Sequence, residues 1–198
     1  MGIGSGIYRT HSTTALLKAG VSQWPGSKVA DSWHKDNRRA IGRTGLLPAA
    51  FIDYFTRYND EYGHPAGDKV IQTFADILAG TFKRASDVVA RVGGEEFLVL
   101  THDSPTGSCQ VLANRALQEL RTTKQEHAAA PLGIVTASAG VFHGIPDANL
   151  TLEIALSRVD QILYAAKEAG RDRAMHSDEL VNNVRPAITA DIVPLAKK

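Results

Sequence analysis

The residues best suited to chemistry in this chain are Glu95 and Glu96, which follow Gly93 and Gly94 directly and precede Phe97. Two consecutive glycines leave no side chains in the way, so a bulky ligand can approach the backbone there. Two adjacent carboxylates suit a hard cation such as magnesium, which takes oxygen ligands and commonly shares them with substrate phosphates. Such a cation would stabilise charge on the attacking and leaving oxygens of a nucleotidyl transfer. By itself, the string fits equally well a hairpin tip with two solvated acids. Lys167 and Arg171 stand four apart on one predicted helix and so share a face. Two cations there can hold a triphosphate, although a solvated helix end favours the same residues. Arg84-Ala85-Ser86-Asp87 ends just before the strand that leads to Gly93. Read alone, it is a local ion pair in a loop.

These residues need a scaffold. Val88 to Val92 and Phe97 to Thr101 are short β-rich runs joined across the two glycines, which is a hairpin signal. Leu46 to Asp53 is a short apolar run that reads as a buried strand, made imperfect by Pro48. His64-Pro65 opens a helix with proline in its first turn. Val70, Ile71, Phe74, Ile77, Leu78 and Phe82 form its core face. A second helix runs from about Pro105 to Gln125, with Val111, Leu112, Ala116, Leu117 and Leu120 inward. Ile134 to Phe142 is another strand. A last helix covers about Leu150 to Ala169, with Leu152, Ala155, Leu156, Val159, Ile162 and Leu163 on one stripe and Gly170 as its stop. Residues 28–43 read as a charged surface helix, and residues 1–27 and the tail beyond Ser177 carry no strong pattern. Strand, helix, hairpin, helix, strand, helix is the order of an α/β fold. Its central sheet is mostly antiparallel and is flanked by helices.

Composition narrows the function classes. A chain of 198 residues suits one α/β domain with short tails, set at residues 11–177 between a tail of 1–10 and one of 178–198. The net charge of +1 and the absence of a polybasic run argue against a nucleic-acid binder. No apolar stretch approaches the roughly 20 residues of a membrane span. Cys109 is the one cysteine, which excludes a disulfide framework, points to the cytoplasm, and reads best as a small buried residue on a helix.

Four ordered strings together resemble a known family. Asp53, Phe55, Asn59-Asp60, Gly63-His64 and Gly67-Asp68 follow one pattern, and Gly93-Gly94-Glu95-Glu96-Phe97 is the next. Val135 to Val141 looks like the family's penultimate strand, and Leu163 to Arg171 like its closing motif. The chain is thereby similar to the GGDEF family of diguanylate cyclases, most densely over residues 51–173. The resemblance implies a nucleotide-cyclase or polymerase palm-like fold and an enzyme that condenses two GTP to cyclic di-GMP with release of two pyrophosphates. It implies a cofactor, Mg2+ or Mn2+, and a face-to-face homodimer with one GTP in each protomer. By the same resemblance Asn59 and Asp68 read the guanine edge, where a carboxylate accepts from ring donors and an amide both donates and accepts. Lys167 and Arg171 hold phosphates. Glu95 is a metal ligand, and Glu96 a second ligand or the base near the 3′-hydroxyl. Arg84 and Asp87 form a product-inhibition site, with Arg115 as a second cation.

The chain departs from the family in three places. The family's metal-binding aspartate stands eight residues before the guanine-reading asparagine, and here that position is Phe51. Asp53 lies two residues on, on the same face of a regular strand and about 7 Å further along. Either Asp53 takes the metal position or the first ligand is gone. The lysine usual after the second aspartate is Thr56. The family's opening run, normally about 40 residues before the asparagine, has only a faint echo in Thr14 to Leu17 and a misplaced one in Thr44 to Leu47. A runner-up reading is therefore an impaired domain that binds GTP or cyclic di-GMP without turnover.

Overall fold

A computed structural model describes residues 22–23, 45–101, 108–144 and 149–179. The candidate helix at 28–43 and both tails lie outside those residues. In chain order the elements are β1 (Ser22–Gln23), β2 (Gly45–Ile52), α1 (Phe55–Tyr62), α2 (His64–Thr81), β3 (Val88–Gly93) and β4 (Glu96–Leu100). They continue with α3 (Ser108–Thr122), β5 (Ala137–Gly144), α4 (Leu152–Glu168) and β6 (Ala174–His176). One six-stranded sheet runs β1-β3-β4-β2-β5-β6. Its central pairs, β3–β4, β4–β2 and β2–β5, are antiparallel, and its two outer pairs are parallel. The fold is thus the α/β class with the mostly antiparallel centre expected from sequence.

Helices cover both faces of the sheet. One core joins α2 and α3 to the sheet through Phe74, Ile71, Leu117 and Leu120. There Phe74 meets Phe97 edge to face at 5.4 Å. The other core joins α4 to the sheet through Val159, Ile162, Leu98 and Phe142. The α4 backbone lies directly on β5: a Cβ at Gly140 would stand 2.5 Å from both Val159 O and Leu163 N.

Several local expectations are corrected. Pro48 does not interrupt β2. It pairs with Val141 of β5, and the ladder to β4 begins only at Ala49, so the missing N–H costs little there. Val111 is 68% exposed rather than inward, because the buried stripe of α3 is Cys109, Ala113, Ala116, Leu117 and Leu120, and a residue two positions from Ala113 faces away. β5 starts at Ala137; Ile134 makes only an isolated bridge to Glu126. α1 and β6 were not foreseen. α1 carries the string FTRYNDEY, in which Phe55 and Tyr58 alone are buried. β6 has three residues.

Candidate active site

The hairpin tip is built by backbone conformations that glycine allows. Gly94 has φ +40, and its carbonyl accepts from Arg91 Nε at 2.7 Å. The end of β2 is tied to the same tip, because Ile52 N donates to Glu95 O at 3.4 Å and Phe51 stands in register with Glu96. Glu95, Arg91, Asn59, Asp68, His64 and Phe55 line a cavity of about 360 Å³. Two helices deliver its far wall. α1 ends at Gly63, φ +80, whose N–H bonds Asn59 O, and α2 starts at once. The corner puts Asn59 of one helix beside Gly67 and Asp68 of the next. A Cβ at Gly67 would collide with Asn59 Oδ1 and press on the Phe55 ring, so this glycine makes the room for the asparagine amide. Asn59 Oδ1 is buried against Gly67 and has no hydrogen-bond partner among the described residues.

The cations lie on aromatic rings. Lys167 Nζ stands 3.1 Å from the Phe51 ring centroid. Burial holds its ammonium below the usual lysine range, while Asp53, Glu96 and Glu95 pull it back up. The Arg171 guanidinium lies 4.7 Å from the centroid of the Tyr54 ring, and Arg57 approaches the same ring at 5.3 Å. Partial burial of the Glu96 carboxyl pushes it above the ordinary glutamate range, with Glu95 and Asp160 adding to the push and Lys167 opposing it.

Asp53 is placed differently from the metal-ligand expectation. It is 1% exposed, and its carboxylate turns inward. Ser138 Oγ donates to Oδ1 at 2.7 Å, and Oδ2 accepts from Thr136 Oγ1 at 2.9 Å and Asp172 N at 3.1 Å. Those donors occupy both oxygens, so Asp53 works as an internal brace and the position facing the hairpin belongs to Phe51. This geometry speaks against a metal role for Asp53. Among the described residues no three His, Cys, Asp or Glu side chains are grouped to hold a metal ion. Of the hairpin donors, Glu95 lines the cavity with Asn59 and Asp68, and Glu96 lines another with Asp160 and Leu163. A hard divalent cation between them would need phosphate oxygens and water to complete its coordination, as magnesium usually does.

Arg84 and Asp87 close a turn between α2 and β3. Asp87 Oδ2 accepts from Arg84 N at 3.0 Å, and Asp87 N donates to Arg84 O at 2.9 Å. These bonds fix the two residues to each other at the turn, as a local pair in a loop. Arg115 lies on the exposed side of α3. Cys109 is buried, and its thiol is pushed up to about 12 by that burial, as suits a small core residue. Sequence reasoning missed Arg91, Asp160 and Tyr54. Asp160 had a readable signal, since it is seven residues before Lys167 and so on one helix face. Arg91 and Tyr54 had none, because their roles rest on folded contacts. No described helix is long and apolar enough to cross a membrane.

The family model described as "Diguanylate cyclase, GGDEF domain" matches residues 28–173. The diguanylate cyclase DgcP of Pseudomonas aeruginosa is 41% identical over 138 residues, covering 69% of this chain and 20% of that protein. The diguanylate cyclase DgcZ of Escherichia coli is 32% identical over 171 residues, covering 81% of this chain and 54% of that protein. The chain thus spans about a fifth to a half of these relatives' length. Among solved structures, the GGDEF domain of DgcB from Caulobacter crescentus in complex with c-di-GMP superposes with a TM-score of 0.72 at 23% identity, covering 87% of this chain and 99% of that one. The active GGEEF domain of a diguanylate cyclase from Vibrio cholerae gives 0.63 at 24% identity, covering 76% and 92%. At these identities the superpositions speak for the fold alone.

Proposed function

The chain belongs to the GGDEF family of diguanylate cyclase domains, and from that premise we propose that it condenses two GTP to cyclic di-GMP and two pyrophosphates. The observation that carries the proposal is one cavity lined by Asn59, Asp68 and Glu95 together. The matched span supports a single cyclase domain within residues 11–177. The reaction belongs in the cytoplasm, where GTP is supplied.

Asn59 and Asp68 bind the guanine edge, the unpartnered Asn59 Oδ1 accepting from a ring donor. Lys167 and Arg171 hold the triphosphate, and their aromatic seats keep both charges available because neither ring neutralises them. Glu95 and Glu96, with phosphate oxygens, would hold a divalent cation, Mg2+ or Mn2+, which supplies charge stabilisation at the phosphates. Glu96, whose carboxyl is lifted above the ordinary range, takes the proton of the 3′-hydroxyl. That oxygen forms a bond to the α-phosphorus of the GTP held by a second protomer, and the bond to pyrophosphate breaks. The reciprocal attack closes the ring, so the working unit is a homodimer. Alignment and charge stabilisation do most of the work. The Arg84–Asp87 turn binds the product and limits its accumulation, with Arg115 as a further cation.

The test is incubation with GTP and magnesium followed by nucleotide chromatography. Cyclic di-GMP should form, and Glu95→Ala should abolish it without changing the fold. Phe51 favours one rival, a domain that binds GTP or cyclic di-GMP without turnover, because it stands where a third carboxylate would face Glu96. Binding of either nucleotide with no product at any magnesium or manganese concentration would establish the rival.

A further inference from the structure

Arg171 sits in a turn that needs outside support. Gly170, Arg171 and Asp172 take φ values of +111, +63 and +52 in succession; glycine adopts such angles readily and aspartate more often than most residues, whereas arginine seldom does. Asp172 is fixed from within and from without. Its N–H reaches Asp53 Oδ2 and Ser138 Oγ, each at 3.1 Å, inside the fold. On the outside, Arg121 of α3 donates from Nε to Asp172 Oδ1 at 2.7 Å and from Nη2 to the Asp172 carbonyl at 2.6 Å. The remaining Nη1 of the same guanidinium bonds Gln118 Oε1 at 2.8 Å, one helical turn back. Arg121 is therefore spent on holding one residue by its side chain and its backbone. The partners are 51 residues apart in sequence and part-buried, which distinguishes the pair from a surface ion pair of little consequence.

We propose that Arg121 is a positioning residue for phosphate binding: by clamping Asp172 it fixes the backbone that aims Arg171 over the Tyr54 ring. This rests on the reading of Arg171 as a phosphate ligand. Arg121 touches no substrate. Its loss frees the outer side of the turn, and the strained Arg171 relaxes toward ordinary backbone angles, carrying its guanidinium off the ring. The hydrogen bonds of this clamp run to Gln118, Asp53 and Ser138 and not to Asn59 on α1 or Asp68 on α2, so guanine binding is untouched.

The experiment compares Arg121→Gln, Arg171→Gln and the double variant of the full chain. Calorimetry with the α,β-methylene analogue of GTP, whose α–β bridge resists cleavage, is set beside NMR titration with guanosine, which lacks phosphates. Arg121→Gln should weaken the analogue roughly tenfold, leave guanosine unchanged, and add nothing to Arg171→Gln. Arg121→Lys, which keeps a single bond to Asp172, should fall between, and it serves if Arg121→Gln does not fold. Equal loss for guanosine and the analogue, or losses that add in the double variant, would overturn the clamp while leaving Arg171 a phosphate ligand. An unaltered analogue affinity in Arg171→Gln would sink the phosphate reading itself, and this proposal with it.

Discussion

The Lys167 ammonium rests 3.1 Å from the centroid of the Phe51 ring, and Phe51 is in register with Glu96 across the sheet. A ring attracts a cation without neutralising it, by up to about 2 kcal/mol when the pair is desolvated. The site therefore carries a half-buried positive charge and two hairpin carboxylates, where an acid at Phe51 would cancel the charge. Phe51→Asp places a carboxylate beside Lys167 and in register with Glu96. It should raise Mn2+ affinity at least tenfold, measured by calorimetry on the nucleotide-free protein, because a third oxygen donor joins Glu95 and Glu96. Unchanged affinity would show that Phe51 does not face the cation's position.

Glu96 offers a prediction about pH. Burial, then Glu95, raises its carboxyl above the ordinary value of 4.5, and Lys167 opposes them. A base must be deprotonated to act, so the acid limb of kcat/KM should lie above that value and rise with pH. NMR titration of the glutamate carboxyl carbons gives the same group directly. Glu95→Gln should move the Glu96 midpoint down, and Lys167→Met should move it up. A midpoint indifferent to both would separate Glu96 from its two neighbours and remove the argument for it as base.

Asp53 should behave as a brace. Its pKa is raised above 3.8 chiefly by burial, against the lowering effect of hydrogen bonds from Ser138, Thr136 and Asp172. The folded state thus binds this proton more tightly than the unfolded chain does. The resulting stabilisation is complete below the unfolded value and is lost as pH rises through the folded one. Asp53→Asn removes that titration, so its stability relative to the parent should improve with pH over the same window in urea melts. Asp53→Ala strands three donors and should cost about 3 kcal/mol. Mn2+ affinity should be the same in Asp53→Asn as in the parent protein; a loss there would return Asp53 to the metal.

The legible and illegible parts of the molecule divide by sequence distance. Gly63 to Asp68, Gly93 to Glu96 and Lys167 with Arg171 are short strings whose spacing survives in one dimension, and the apolar stripe of α2 is equally local. The inward turn of Asp53 was hidden because its hydroxyl donors, Thr136 and Ser138, are 83 and 85 residues away. Two alignments of Phe51 and Asp53 were open until β2 was set against β4. The conformation of Tyr54, φ +56, is a strain no composition announces, and it places the ring on which Arg171 rests. α1 was missed because its pattern is polar and aromatic, with the apolar contacts supplied by elements far along the chain.

Gly67 separates recognition of the base from stability of the helix. Glycine inside a helix ordinarily costs about 1 kcal/mol relative to alanine, so Gly67→Ala would stabilise α2 if only propensity counted. The added methyl has nowhere to go, because it meets Asn59 Oδ1 and the Phe55 ring. Asn59 must leave its place, and with it goes the buried acceptor offered to the guanine. The variant should raise the KM for GTP at least tenfold while kcat changes less, and it should weaken guanosine binding by a similar factor. Lys167 on α4, Arg171 in the turn beyond that helix and the Arg84–Asp87 turn lie on other elements, so binding of inorganic tripolyphosphate should be unaffected. Equal loss of tripolyphosphate and guanosine would mean that the whole corner between α1 and α2 had collapsed, and that Gly67 serves the fold rather than the base.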